Sequence, residues 1–417
     1  MEHEKLSIKQ DGMEEKRPKD VFSPEAGREL GLYIHIPFCV KKCDYCDFLS
    51  APATEVMKKK YMQALRSEIC SYKGKMTEYT VPTIFIGGGT PSAIPASDIK
   101  ELMEEIRDAF QVDHDRLEAT IEVNPGTVTK EKLLAYKKAG INRLSFGLQS
   151  VDNRELKMLG RIHTYEEFQD NYALARETGF RNINVDLMSS LPGQTVETWE
   201  KSLRMVIALK PEHISAYSLI IEEGTPFYER YGEGALHQRE LPEEETDRLL
   251  YHRTKELLKE NGYHRYEISN YAKDGYECRH NNSYWIGTQY LGLGLGASSL
   301  LAGARFHNRK DIEEYIRLCS EDNKTDRFPV NLREDYQILS LQERMEEFMF
   351  LGLRMIRGIS MEEFKRRFHQ SIQEVYREEI EQLVQKQLLK TDGDRLALTD
   401  YGIDISNYVL SFFLWKE

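Results

Sequence analysis

Residues 31 to 220 alternate short β-rich runs with amphipathic helical stretches, and this rhythm constrains the fold more than any other feature of the chain. "GLYIHIP" (31–37) reads as a strand. "EVMKKKYMQALRSEICSYK" (55–73) reads as a helix with Met57, Tyr61, Leu65 and Ile69 on one stripe. There follow "TIFIGGG" (83–89), "SDIKELMEEIRDAF" (97–110), "EATIEVNP" (118–125), "TKEKLLAYKKAG" (129–140) and "RLSFGLQS" (143–150). A helix from Tyr165 to Thr178, the strand "NINVDLMSSLP" (182–192), the helix "TVETWEKSLRMVIAL" (195–209) and the strand "HISAYSLI" (213–220) complete the series. Six strand–helix steps in order predict an α/β fold with a parallel sheet, curled into a partial (β/α) barrel or left open as a doubly wound sheet. Either form gathers ligands at the carboxyl ends of the strands. Cys39 follows the first strand, Gly87–Gly89 end the second, Glu122 and Asn124 the third, and Gln149 the fourth, with Asp186 late in the fifth. Glycine-rich and polar residues therefore converge on one face.

At 417 residues the chain is too long for one ordinary core, so a large domain with a smaller companion is expected. We read residues 1–28, charged throughout, as a solvated tail, 29–319 as the barrel with an extension, and 335–417 as a second domain. The polar stretch "SEDNKTDRFPVNLRE" (320–334) between them reads as a linker. Helices over 343–357, 360–369 and 371–387, then a hairpin through "DGD" and a helix from Asp400, resemble a winged helix. Winged helices often bind DNA, but the net charge of −12 and the lack of a basic stripe favour packing against the barrel or a protein partner, with no nucleic acid expected. No apolar run approaches the roughly 18 residues needed to span a bilayer, and the N-terminus has the pattern of neither a secretory signal nor a transit peptide, which points to the cytoplasm.

In that compartment thiols stay reduced, and "HIPFCVKKCDYCDF" (35–48) packs three of six cysteines into eight positions. Structural zinc takes four ligands, and C-x3-C-x2-C supplies three. His35, the nearest fourth, sits mid-strand and is poorly placed to fold back onto the loop. A [4Fe–4S] cluster on Cys39, Cys43 and Cys46 instead leaves one iron open for a small ligand.

C-x3-C-x2-C after the first strand of an α/β barrel resembles the radical S-adenosylmethionine proteins. There the open iron chelates S-adenosylmethionine, and electron transfer cleaves it to a 5′-deoxyadenosyl radical. "GGGTPS" (87–92), "EVNP" (122–125), "SFGLQS" (145–150), "LGRIHT" (159–164) and "VDLM" (185–188) resemble, in order, the oxygen-independent coproporphyrinogen III dehydrogenase branch. The resemblance implies that Tyr33 and Tyr45 lie beside S-adenosylmethionine and that Gly87, Gly88, Gly89 and Thr90 offer it backbone groups. It implies too that Glu122 meets the nucleoside and that Gln149, Arg161 and Asp186 line the same pocket. Taken singly, the glycines also read as a tight βα turn, Glu122 as a helix-start partner and Arg161 as a surface cation.

Two departures from that dehydrogenase matter. Its motif continues with a fourth cysteine where this chain has Phe48, and "HNNSYW" (280–285) matches the H-N-x-x-Y-W motif of the HemW-like haem chaperones. That resemblance implies haem as a bound partner near His280, Tyr284 and Trp285. It also implies a haem-requiring acceptor, a respiratory membrane protein among them, reached by peripheral contact with the membrane. His280 is a candidate axial ligand and the two aromatic rings candidate porphyrin faces. Cys278 is a second candidate thiolate, though it, Cys70 and Cys319 read better as small, partly buried hydrophobes. Trp285 and "GLGLGAS" (292–298) are expected to close the site face. The acidic segment 231–247 reads as a solvated loop near that face, and a homodimer stays open.

Overall fold

The computed structural model describes residues 28–321 and 330–415. Most of the expected tail, residues 1 to 27, and residues 322 to 329 of the expected linker lie outside the described residues. The chain begins β1 (Arg28–Ile36), α1 (Glu55–Ser71), β2 (Tyr79–Gly88), α2 (Ala96–Ala109), a short β3 (Gln111–Val112), β4 (Glu118–Val123), α3 (Lys130–Lys138) and β5 (Arg143–Gln149). It continues through α4 (Asn153–Met158), α5 (Tyr165–Glu177), β6 (Ile183–Ser189), α6 (Val196–Ala208) and β7 (His213–Ser218). Strands β1, β2, β4, β5, β6 and β7 pair in that order, all parallel. The six strands read from the sequence thus form the partial barrel.

Period-two alternation along these strands separates two environments. Leu32, Ile34, Ile36, Ile84, Ile86, Ile121 and Leu144 point outward into one core with Leu65 and Ile69 of α1 and the inner stripe of α2, all of them fully buried. The intervening residues Glu118, Thr120, Glu122, Arg143, Ser145, Asn184, Asp186 and His213 face the lumen. The barrel is therefore apolar between strands and helices and polar inside.

After β7 come α7 (Pro226–Tyr231), α8 (Glu244–Glu260), β8 (His264–Arg265) and β9 (Asn270–Ala272), so the segment read as an acidic loop is partly helical. Strand β9 runs antiparallel to β7 and returns the chain to the amino-terminal ends of the barrel strands. Helix α9 (Arg279–Trp285) crosses there, and β10 (Tyr290–Leu293) rises parallel to β1. An antiparallel extension follows: β11 (Ser298–Leu301) and β12 (Ala304–Asn308), then α10 (Ile312–Glu321), then β13 (Arg333–Ile338) on the edge beside β12. The remainder is α11 (Leu341–Gly352), β14 (Ile359–Ser360), α12 (Met361–Phe368), α13 (Ile372–Val375), α14 (Arg377–Gln385), β15 (Leu389–Asp392), β16 (Arg395–Leu398), α15 (Asp400–Asp404) and α16 (Ser406–Leu410). Its helices and three-stranded sheet enclose a second core of Met349, Phe364, Tyr376, Leu383 and Leu396. The expected helix 371–387 breaks at Tyr376, where the backbone leaves helical geometry. Among the described residues no helix is long and apolar enough to cross a membrane.

Candidate functional site

The cysteine loop hangs from the end of β1 and is pinned at both flanks. Cys39 N donates to Ala51 O (3.2 Å), Asp44 N to Leu159 O (3.0 Å), and Phe227 N to Asp44 O (2.9 Å), while Arg230 pairs with the Asp44 carboxylate. The loop thus docks onto the start of α7 and the turn after α4. Tyr45 packs edge-on to Phe227 at 6.4 Å. All three cysteines are partly exposed.

They open onto a cavity of about 570 Å³ at the carboxyl ends of the strands. Its lining includes Gly88 at the end of β2 with Gly89 and Thr90 just after it, Glu122 from β4 with Asn124 just after it, Gln149 from β5, Arg161, and Asp186 from β6. Tyr45 lines it too, as do Ser145, Ser215, Tyr217, Asn270 and Asn281. These last five were not picked out from sequence, although the polar members of the strand alternation mark the first two. Tyr33 and Gly87 lie below the lining. Tyr33 stacks on Phe85 (6.4 Å) and its hydroxyl hydrogen-bonds His35 Nδ1 (3.0 Å).

The glycines are required by space. A Cβ on Gly89 would lie 2.7 Å from Phe38 O and 2.9 Å from Cys39 Sγ; on Gly88, with φ of +118°, it would strike the His35 ring at 2.7 Å. Gly89 N donates to Ile36 O (2.8 Å), Thr90 N to Phe38 O (2.7 Å) and Gly88 N to Glu122 Oε2 (3.0 Å). The run therefore faces the cavity with its amides already engaged.

Carboxyl groups outnumber cations in the cavity lining, with Asp47, Glu122, Asp186 and Glu222 against Lys41 and Arg161. Burial and the neighbouring Asp186 raise the Glu122 carboxyl to about 8, and burial also raises Asp186. Against them stands Arg161, whose Nη2 donates to Asn124 Oδ1 (2.8 Å) and to Gly147 O, whose Nη1 lies 3.5 Å from Cys43 Sγ, and whose buried Nε has no partner. Burial and Arg161 together lower the His163 ring to about 3, so it stays neutral.

The donor set suits an open-sided cluster. No group of three His, Cys, Asp or Glu among the described residues is placed to hold a single metal ion. Both His35 nitrogens are engaged, Nε2 with Leu49 O at 2.9 Å, so no fourth ligand is at hand there. Phe48 stands at the cavity mouth, 62% exposed.

His280, Tyr284 and Trp285 lie elsewhere. Because β9 has turned the chain round, α9 closes the lumen from the amino-terminal end, with only Asn281 reaching the cavity. The expectation that Trp285 closes the site face is corrected: it packs on Tyr266, Ala272 and Met355, with Arg354 4.5 Å over its ring. Gly294 and Gly296 do lie at the carboxyl end, against His35 and Leu49. His280 is 1% exposed, with Nδ1 2.9 Å from Thr83 Oγ1 and Nε2 2.9 Å from the Tyr284 hydroxyl. It presents no free nitrogen in this geometry, and burial holds it neutral, down to about 3. Cys278 is buried with its thiol pushed up to about 12, and Cys319 is buried, whereas Cys70 is exposed.

Residues 33–206 match the Radical SAM superfamily and residues 339–405 the HemN C-terminal domain. The chain is 38% identical over 387 residues to the heme chaperone HemW of Bacillus subtilis, covering 92% of this chain and 98% of that one. It is 34% identical over 396 residues to the heme chaperone HemW of Escherichia coli, with 92% and 98% covered. Among solved structures, coproporphyrinogen III oxidase (HemN) from Escherichia coli shares the fold, with a TM-score of 0.76 at 23% identity over 93% of this chain and 90% of that one. Likeness at this level along nearly the full length of both sequences places the chain: it belongs to the HemW haem chaperone family of the radical S-adenosylmethionine superfamily.

Proposed function

We propose that the protein is a haem chaperone: it binds haem and passes it to an acceptor protein, and carries a [4Fe–4S] cluster on Cys39, Cys43 and Cys46 with exchangeable S-adenosylmethionine beside it. The family membership supports this reading. The single observation that carries it against the decarboxylating alternative is Phe48, an exposed phenyl ring at the cavity mouth where the dehydrogenase it resembles has a fourth cysteine. When bound, the cluster supplies an iron for the amino and carboxylate groups of S-adenosylmethionine and an electron source beside it.

The chain's own residues then divide the ligand. With the amides of Gly88 to Thr90 engaged internally, the run would meet the N–H groups of the ligand's amino nitrogen through carbonyl oxygens. Arg161 offers a guanidinium to a carboxylate, and Glu122 accepts from ribose hydroxyls. Gln149 and Asp186 line the far wall, Tyr45 covers the cysteine side, and Tyr33 and Gly87 hold Glu122 and His35 from below. Tyr284 and Trp285 fix α9 under the barrel. The acceptor is a haem-requiring protein such as a respiratory membrane component, met by a cytoplasmic chain at the membrane surface.

The test is anaerobically reconstituted full-length protein, incubated separately with haem and with coproporphyrinogen III plus S-adenosylmethionine and a reductant. Stoichiometric haem binding without protoporphyrinogen is the expected result; catalytic decarboxylation would replace this reading with the dehydrogenase.

Glu122 gives a second check. Its carboxyl titrates near 8 in the folded protein against 4.5 ordinarily, so the folded state holds that proton more tightly than the unfolded one. The corresponding stability is full below the ordinary value and is lost as pH rises through the folded one. Binding that needs the carboxylate runs the other way and strengthens across the same window. Glu122→Gln is expected to flatten both the melting-temperature profile and the S-adenosylmethionine affinity profile between the ordinary value of 4.5 and the folded value of about 8. An unchanged affinity profile in the variant would remove Glu122 from the ligand's contacts.

A further inference from the structure

Arg161 stands between the cysteine loop and the ends of β4 and β5. Its Nη2 donates to Asn124 Oδ1 (2.8 Å) and to Gly147 O, and its Nη1 to Cys43 Sγ (3.5 Å). The anchor is itself held: Asn124 N donates to Ser92 Oγ (3.1 Å) and Asn124 Nδ2 to Thr90 Oγ1 (2.8 Å), while Thr90 N donates to Phe38 O (2.7 Å), one residue before Cys39. The barrel therefore places the guanidinium against Cys43. None of these partners is a carboxylate, so no ion pair among them offsets the charge.

Among the described residues no other side chain hydrogen-bonds a cysteine of the loop. Lys42, the cation next in sequence to Cys43, donates to Phe48 O (2.9 Å) in a solvent-exposed bond, where water and salt screen it. Tyr45, Tyr217 and Asp186 lie within reach of the Arg161 charge across the cavity, and His163, two residues on, is neutral. The one positive charge delivered to a cluster sulfur by a hydrogen bond is thus that of Arg161.

We infer that Arg161 sets the reduction potential of the cluster, stabilising its reduced form through the N–H on Cys43 Sγ. The inference rests on the three-thiolate cluster proposed above. One-electron reduction by an external donor adds a negative charge to the cluster and makes or breaks no bond. Hydrogen bonds to the ligand sulfurs and the charge beside them are the protein's levers on such a potential. A guanidinium keeps its proton throughout the range in which proteins are stable, so this lever is constant while the Glu122 carboxyl titrates. The role leaves room for a ligand, since the buried Nε of Arg161 has no partner and remains to meet a carboxylate.

The experiment is an equilibrium redox titration of anaerobically reconstituted full-length protein without S-adenosylmethionine, with dithionite as reductant and electron paramagnetic resonance of the reduced cluster as readout. Arg161→Gln keeps a polar side chain and removes the charge. It is expected to weaken one-electron reduction at least about tenfold, a shift of about 59 mV toward negative potential. Asn124→Asp keeps the shape and gives the guanidinium a carboxylate partner, so the potential is expected to move in the same direction with Arg161 still present. Arg161→Lys keeps the charge and is expected to stay closer to the unaltered protein than Arg161→Gln does. Equilibrium constants for reduction within about twofold of the unaltered protein's in both Arg161→Gln and Asn124→Asp would overturn the role, as would equal shifts in Arg161→Gln and Arg161→Lys. Should Arg161→Gln assemble no cluster, Asn124→Asp decides alone. Failure of the unaltered protein to assemble a cluster would sink the three-thiolate assignment itself.

Discussion

Cys39→Ala, Cys43→Ala and Cys46→Ala each yield, after anaerobic reconstitution, protein without the brown cluster absorbance and with iron and sulfide near background. The effect is close to total because the site has no reserve. Three thiols line the cavity, and both His35 nitrogens are engaged, so no fourth ligand stands ready beside them. Cys278 cannot substitute, being buried beside Glu118 with its thiol pushed up to about 12. The apolar shell between strands and helices is untouched by these changes, so the variants fold and their circular dichroism matches the unaltered protein. Full cluster absorbance in any one of them would refute the three-thiolate assignment.

Gly89→Ala is the second large effect. The added methyl meets backbone, Phe38 O at 2.7 Å and Phe38 C at 2.9 Å, which cannot swing aside as a side-chain tip does, and it also crowds Cys39 Sγ at 2.9 Å. The end of β2 or the first cysteine must shift, and either displaces the cluster relative to the S-adenosylmethionine contacts. We expect affinity for S-adenosylmethionine, measured by equilibrium dialysis, to fall by roughly a hundredfold or more, with incomplete cluster assembly. Gly87→Ala is milder, because its methyl meets the movable side chains of Phe85 and Glu122 at 3.0 and 3.1 Å. Equal affinities in Gly89→Ala and the unaltered protein would show that the ligand does not approach this edge.

The barrel was readable because each strand and helix is long enough to express its own period: four alternating apolar positions in β1, a full stripe on α1. The strands after β7 were not. β8 has two residues and β9 three, too few for any period to appear, and they exist because β7 offers them an edge. That three-residue strand decides where "HNNSYW" goes. A motif states which residues sit together along the chain, and nothing in it tells which end of a barrel a preceding reversal will deliver it to; so Trp285 was expected at the wrong end. The cysteine loop was legible by spacing alone. Arg161 was legible only through resemblance, since its reach to Asn124 and to Cys43 crosses from one βα unit to others.

The polar lumen has a consequence for how such a scaffold changes over time. Its outward-facing strand residues and the helices form the core that holds the barrel closed. The inward set is bonded largely to itself, as where Asn184 Nδ2 donates to Ser145 Oγ (2.8 Å) and to Asp186 Oδ1 (2.7 Å). Foundation and furnishing are thus carried by alternate residues of the same strands. Drift on the inner register alters what is bound without dismantling the shell, and one architecture can serve a catalyst in one lineage and a carrier in another.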